Sequence, residues 1–198
     1  TDANFLGMTH EAGDLEDVGR SPYFVEPGMG VWPWDAPDQR ETVTVRWEEG
    51  APVALNGEAL DLVGMFSRAN KIAGRHGVGI GTHAVENRFV GMKSRGVYET
   101  PGGTILMPAR RAVESLTLDK GALHLKDEIM PRYAELIYNG FWFSKERKKL
   151  QKVIDNTQKN VEGTVKLKLY KGNIIVLERF SKKSLYSKDL ASFEGNKV

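Results

Sequence analysis

The stretch from Gly74 to Gly103, GRHGVGIGTHAVENRFVGMKSRGVYETPGG, constrains this chain more than any other. Glycines at 74, 77, 79 and 81 let backbone amides approach a neighbour or a ligand closely and permit positive φ. They are followed by Glu86-Asn87-Arg88, by Lys93-Ser94-Arg95-Gly96 and by Tyr98-Glu99. Such a mixture is poor core material. Interleaved carboxylates, guanidinium groups and a phenol are suited to fixing a zwitterionic or phosphorylated small molecule. A Gly-rich turn between two strands, its charges solvated, is the plainer alternative, and the letters alone leave both open.

The rest of the chain reads as ordinary globular material. At 198 residues it is long enough for one substantial domain, or a domain with an extended tail. A net charge of +2 and a pI near 8.7 do not call for a nucleic-acid or membrane partner. The absence of cysteine excludes disulfides, thiol catalysis and zinc–thiolate sites. No apolar run approaches the roughly 20 residues of a membrane span, and the N-terminus lacks the order of a signal peptide. A cytoplasmic protein is the plain expectation.

Residues Thr1–Leu15 are polar, small and acidic, without helical stripe or strand alternation, so they are expected to lie on a partner surface or belong to something larger. Arg20–Asp38 is Pro/Gly-rich, which discourages regular structure. It reads as a connecting arm, anchored by Trp32 and Trp34; a stacking platform for a base is the alternative. Val43, Val45 and Trp47 alternate with polar residues, predicting a strand over Glu41–Glu48. Pro52–Leu55 returns as its hairpin partner. Leu62, Val63, Phe66, Ala69, Asn70 and Ala73 predict an amphipathic helix over Leu60–His76, with Gly74 and Gly77 suiting its end.

A second helix is expected over Thr104–Leu118. A third should start at an N-cap, Asp119, and run to about Asn139, with Leu123, Leu125, Ile129, Tyr133, Leu136 and Ile137 inward. Pro131 should kink or divide it. Phe141-Trp142-Phe143 reads as a core wedge. A helix from Ser144 to about Asn160 follows. Its five basic residues within Lys145–Lys152 read as a solvated face or an RNA-binding patch. Gly163–Tyr170 and Ile174–Phe180 form the clearest hairpin, and Leu185-Tyr186 suggests a short edge strand. Strands, a block of helices, then strands argue for an α+β domain, a largely antiparallel β-sheet flanked by helices, with an extended N-terminal arm.

Familiar catalytic signatures are missing. Gly77-Val78-Gly79-Ile80-Gly81 matches a dinucleotide loop at its first two glycines only, with Thr82 in the third position and a helix where a strand belongs. There is no P-loop and no HExxH motif. His10, His76, His83 and His124 read as surface or packing residues. No Ser/His/Asp constellation presents itself.

Three segments carry a resemblance. V-E-N-R-F-V-G-M-K-S-R-G-V-Y-E-T-P-G at Val85–Gly102, T-D-A-N-F-L-G-M-T-H-E-A-G-D-L-E at Thr1–Glu16 and P-V-A-L-N-G at Pro52–Gly57 are similar to argininosuccinate synthases. The resemblance covers nearly the whole chain but only the later part of the family's polypeptide. It implies a ligase in which ATP, with Mg2+, adenylates the ureido oxygen of citrulline and the amine of aspartate displaces AMP. On motif positions, Thr9, Glu11, Glu86 and Tyr98 are the implied citrulline contacts, and Asp2 lies near the nucleotide. Arg88, Lys93, Ser94 and Arg95 share the motif as second-tier candidates, with loop-bracing ion pairs the alternative for Arg88 and Arg95. No catalytic residue and no metal ligand are assigned.

The family's Ser-Gly-Gly-x-Asp-Ser/Thr phosphate loop and its aspartate-binding residues belong to a preceding nucleotide domain. The chain is therefore expected to be a fragment that binds no cofactor alone and has no ligase activity by itself. The expected division is an arm over 1–40, a synthetase domain over 41–190 and a truncated tail over 191–198. Expected partners are citrulline, aspartate, ATP, the nucleotide domain and further copies (a tetramer in the family), with no nucleic acid and no membrane. A non-catalytic binding or oligomerisation module using the same fold is the rival reading.

Overall fold

A computed structural model describes residues 1–86 and 90–188. Arg88 and the polar end from Asp189 to Val198, including the expected 191–198 tail, lie outside the described residues. Strands β1 (Asp2–Ala3) and β2 (Met8–Glu11) open the chain, and 3-10 turns at Gly13–Glu16 and Pro22–Phe24 punctuate the arm. Then come β3 (Glu41–Glu48), β4 (Ala51–Leu55), β5 (Glu58–Ala59), α1 (Leu62–Arg75), β6 (Ile80–Glu86) and β7 (Lys93–Glu99). Helices α2 (Pro101–Thr117), α3 (Lys120–Tyr138) and α4 (Lys145–Gln158) follow, then β8 (Gly163–Tyr170) and β9 (Asn173–Phe180).

The class is α+β, and every strand pair is antiparallel. The strands divide into two sheets, β5-β4-β3-β8-β9 and β1-β2-β7-β6. The larger sheet turns Val43, Val45, Trp47, Val165, Leu167 and Leu169 toward α1 and α2. Met65, Ala69, Ile72 and Ala73 meet them from α1, and Ile105, Ala109 and Val113 from α2. Each fully buried aliphatic side chain there contributes roughly 1.5–3 kcal/mol of transfer free energy. α1 starts where Asp61 accepts the Gly64 amide at 2.7 Å, satisfying one of the helix's orphan donors. It stops at Gly77, whose φ of 67° breaks the helical path.

Several expectations change. Thr1–Leu15 contributes two strands: β2 pairs with β7, distant in sequence, and β1 folds back on β2, so neither needs local alternation. Pro131 does not divide α3: the Asp127 carbonyl that loses its donor sits on an exposed turn. Of the six residues expected inward on α3, Leu136 alone is buried, and Leu125 and Ile137 are exposed. Phe141-Trp142-Phe143 is not core; all three rings are exposed. α3 and α4 pack chiefly on each other, so a helical stripe reported an apolar side without reporting a cover. Leu185 bonds its amide to the Leu116 carbonyl at 2.7 Å and forms no strand.

Candidate functional site

β7 is an inner strand, with β2 on one side and β6 on the other. Asp2 lies opposite Thr9, Thr9 opposite Tyr98 and Glu11 opposite Gly96. From β6, Gly81 lies opposite Tyr98 and His83 opposite Gly96. Side chains alternate along a strand, so one pleated face collects Asp2, Thr9, Glu11, Ser94, Tyr98 and His83. The other face takes His10, Ile80, Arg95, Val97 and Glu99.

That second face is fastened to the arm. Val97 and Ile80 pack with Leu15, Val25 and Trp32, so Trp32 anchors the arm, whereas Trp34 stacks on Trp32 at 5.2 Å and stays exposed. Arg95 donates to the carbonyls of Leu15 at 2.6 Å, Asp17 at 2.7 Å and Arg20 at 2.8 Å. It braces backbone and does not face the open side. The buried Glu99 carboxylate accepts the Gly28 and Met29 amides, each at 2.8 Å, and pairs with His10 Nε2 at 2.7 Å.

The first face is open. The Tyr98 hydroxyl donates to Glu11 Oε1 at 3.1 Å, across 87 residues of sequence. Burial, then the hydrogen bond and charge of Glu11, raise the phenol's pKa, so it stays protonated and keeps donating. Gly96 makes the arrangement possible: a Cβ there would meet Tyr98 Cε2 at 2.9 Å and Glu11 Cγ at 3.1 Å. Thr9 donates its hydroxyl to the Asp2 carbonyl at 3.3 Å. Beside them a hollow of about 260 Å³ is lined by Asp2, Thr9 and Tyr98 together with Asn4, Leu6 and Thr100. His83 sets its ring edge-on to Tyr98, centroids 5.5 Å apart. Sequence reasoning passed over His83; pairing residues 81–86 with 93–98 as a hairpin would have placed it beside Tyr98.

Glu86 is not gathered with these groups. It ends β6 opposite Lys93, and alternation assigns both to the face of Arg95. The two form an exposed ion pair at 2.9 Å, and the hydrogen bond and charge of Lys93 hold the Glu86 carboxyl below its ordinary range. Glu86 lines neither the hollow nor the Tyr98–Glu11 pair. Its main chain is held by α3, whose Tyr138 hydroxyl donates to the Glu86 carbonyl at 3.4 Å. Among the described residues no group of three or more His, Asp or Glu side chains converges to hold a metal ion. No helix among them is long and apolar enough to cross a membrane.

The protein is thus an α+β domain that fastens one face of a small antiparallel sheet to its arm and leaves hydroxyl, imidazole and carboxylate groups on the other. The chain belongs to the argininosuccinate synthase family: residues 1–198 match the family described as Arginosuccinate synthase C-terminal domain. It is 55% identical over 200 residues to the argininosuccinate synthase of Sulfurimonas denitrificans, covering 100% of this chain and 48% of that protein. The argininosuccinate synthase of Mesorhizobium japonicum is 55% identical over 196 residues, covering 99% and 48%. That of Aliarcobacter butzleri is 52% identical over 200 residues, covering 100% and 48%. The chain spans about half the length of the curated relatives it matches.

Proposed function

We propose that this chain supplies the citrulline-binding face of an argininosuccinate synthase, a cytoplasmic ATP-dependent ligase that joins citrulline to aspartate through a citrullyl-adenylate. The observation that carries the reading is the meeting of Thr9, Glu11 and Tyr98, drawn from two distant segments, on one open pleat beside a hollow. The α-ammonium of citrulline suits the Glu11 carboxylate, which keeps lone pairs free after accepting from Tyr98. Its carboxylate and ureido groups suit hydroxyls such as Thr9. Glu86, ionised beside Lys93 at the end of the hairpin, is a second acceptor for a guest reaching past the sheet's edge. Asp2 apart, no described residue is assigned to ATP or its Mg2+. In adenylation followed by amine attack, the part left to this face is orientation and charge stabilisation.

Titrating citrulline into the isotope-labelled chain should shift the amides of Thr9, Glu11 and Tyr98 with weak affinity. Glu11→Gln should weaken binding about tenfold, the size of one charge-assisted hydrogen bond. Incubated with ATP, citrulline and aspartate, the chain alone should release no AMP, and adding the nucleotide-binding part of a relative should restore turnover. Amide shifts confined to other regions, or turnover by the chain alone, would refute the reading.

A further inference from the structure

We propose that His10 and Glu99 are positioning residues: paired on the covered side of the small sheet, they set how β2 lies along β7 and so hold Glu11 where Tyr98 reaches it. Neither touches the guest. The consequence for binding rests on the proposed citrulline face; the consequence for the Tyr98–Glu11 bond does not.

β2 is four residues long and meets β7 at four positions, from Met8 opposite Glu99 to Glu11 opposite Gly96. β1 adds two residues on its far side. So short a ladder is weakly held by its backbone bonds. Alternation of inward and outward side chains forbids odd shifts, but a shift of two residues, about 7 Å, leaves each on its own face. A link of fixed reach is needed to exclude it.

Among the described residues two side-chain bonds join β2 to β7, and they share one geometry. His10 lies opposite Val97 and bonds Glu99, while Glu11 lies opposite Gly96 and bonds Tyr98. Each reaches two residues along β7 in the same sense, one from either face, so whatever displaces one displaces the other. They differ in strength. The Tyr98–Glu11 bond is 3.1 Å long on the open side, whereas His10 Nε2 meets Glu99 Oε1 at 2.7 Å and that carboxylate is 1% exposed. A carboxylate accepts, so Nε2 carries the proton, and in the neutral ring Nδ1 then accepts from the Thr1 hydroxyl at 3.3 Å.

Glu99 is itself fixed from a third direction. Its two oxygens take the Gly28 and Met29 amides, each at 2.8 Å. A Cβ on Gly28 would meet Met8 Sδ at 2.3 Å, so the arm lies tight against β2 at this point. Position is thus passed from the arm to Glu99, to His10, and through β2 to Glu11.

His10→Phe keeps a ring and removes the donor, leaving Glu99 its two amides; His10→Gln returns an N–H at similar reach. Tyr98 reports the outcome without a ligand, because burial and then the Glu11 bond hold its phenol above the ordinary 10.0. In the full chain labelled at tyrosine Cζ and titrated by NMR, His10→Phe should move Tyr98 down toward that value and His10→Gln should return it. Citrulline affinity should fall about tenfold in the first and recover to within about threefold in the second. On a Glu11→Gln background, His10→Phe should move Tyr98 little further, since both changes act through one bond. An unmoved Tyr98 in His10→Phe, a loss that His10→Gln fails to repair, or full additivity with Glu11→Gln would overturn the assignment. A native chain that binds no citrulline, with Tyr98 displaced in His10→Phe, would sink the proposed function and leave the positioning pair standing.

Discussion

Gly96 shows how little side chain the open face can tolerate at its centre. Its missing Cβ is the space into which Tyr98 leans to reach Glu11. In Gly96→Ala the Tyr98 ring, as the movable end of its side chain, gives way most, and the His10 carbonyl oxygen, 3.1 Å from the new Cβ, must yield by a few tenths of an ångström. The expected result is about a tenfold loss of citrulline affinity with the thermal midpoint nearly unchanged, measured by calorimetric titration and melting of the same sample. Composition already pointed to the carboxylates and phenol of this stretch. Which carboxylate the phenol would meet was not readable from it, because Glu11 comes from a segment whose strand character depends on a partner 87 residues away.

Elements were legible in proportion to how locally they are determined. β8 and β9 announce themselves because alternation and the Lys171-Gly172 turn lie within one short window. α1, with its Asp61 cap, is equally local. The apolar side of α3 misleads for the opposite reason: periodicity says which residues share a side and is silent on what covers it. Gly74 is a related case. Its place near the end of α1 reads as a helix stop, yet a Cβ there would strike the Met29 carbonyl oxygen at 2.2 Å. The arm lies directly on that turn, where Val31 bonds the Gly74 carbonyl at 3.1 Å. Ala in place of Gly gains about 1 kcal/mol in a helix, but forcing backbone apart costs roughly 1–3 kcal/mol. Gly74→Ala should therefore lower stability by about 1 kcal/mol and speed hydrogen exchange at Val31, read by mass spectrometry.

At the scale of the whole molecule, Glu41 joins the start of the large sheet to the end of α1. It pairs with Arg75 and accepts from His76 Nε2 at 2.6 Å. Burial alone would raise its carboxyl, but the hydrogen bonds and charges of Arg75 and His76 together outweigh that and hold it below the ordinary value of 4.5. A carboxyl lowered by folding stabilises fully above its unfolded pKa, and that contribution drains away as pH falls through the folded one. Glu41→Gln should lower stability at neutral pH and flatten its loss below about pH 4.5, followed by denaturant titrations across that range. The resemblance made the family legible along the whole chain, whereas the split into two sheets was not, since strand order depends on contacts no local pattern encodes. One consequence concerns Tyr98 and Glu99, adjacent on β7 and pointing opposite ways. Were the strand to slip by one residue, the phenol would be driven into the arm and the carboxylate stranded in water. Under such a slip the proposed ligand face and the arm's attachment would be lost together, because neighbouring residues of one strand serve the two.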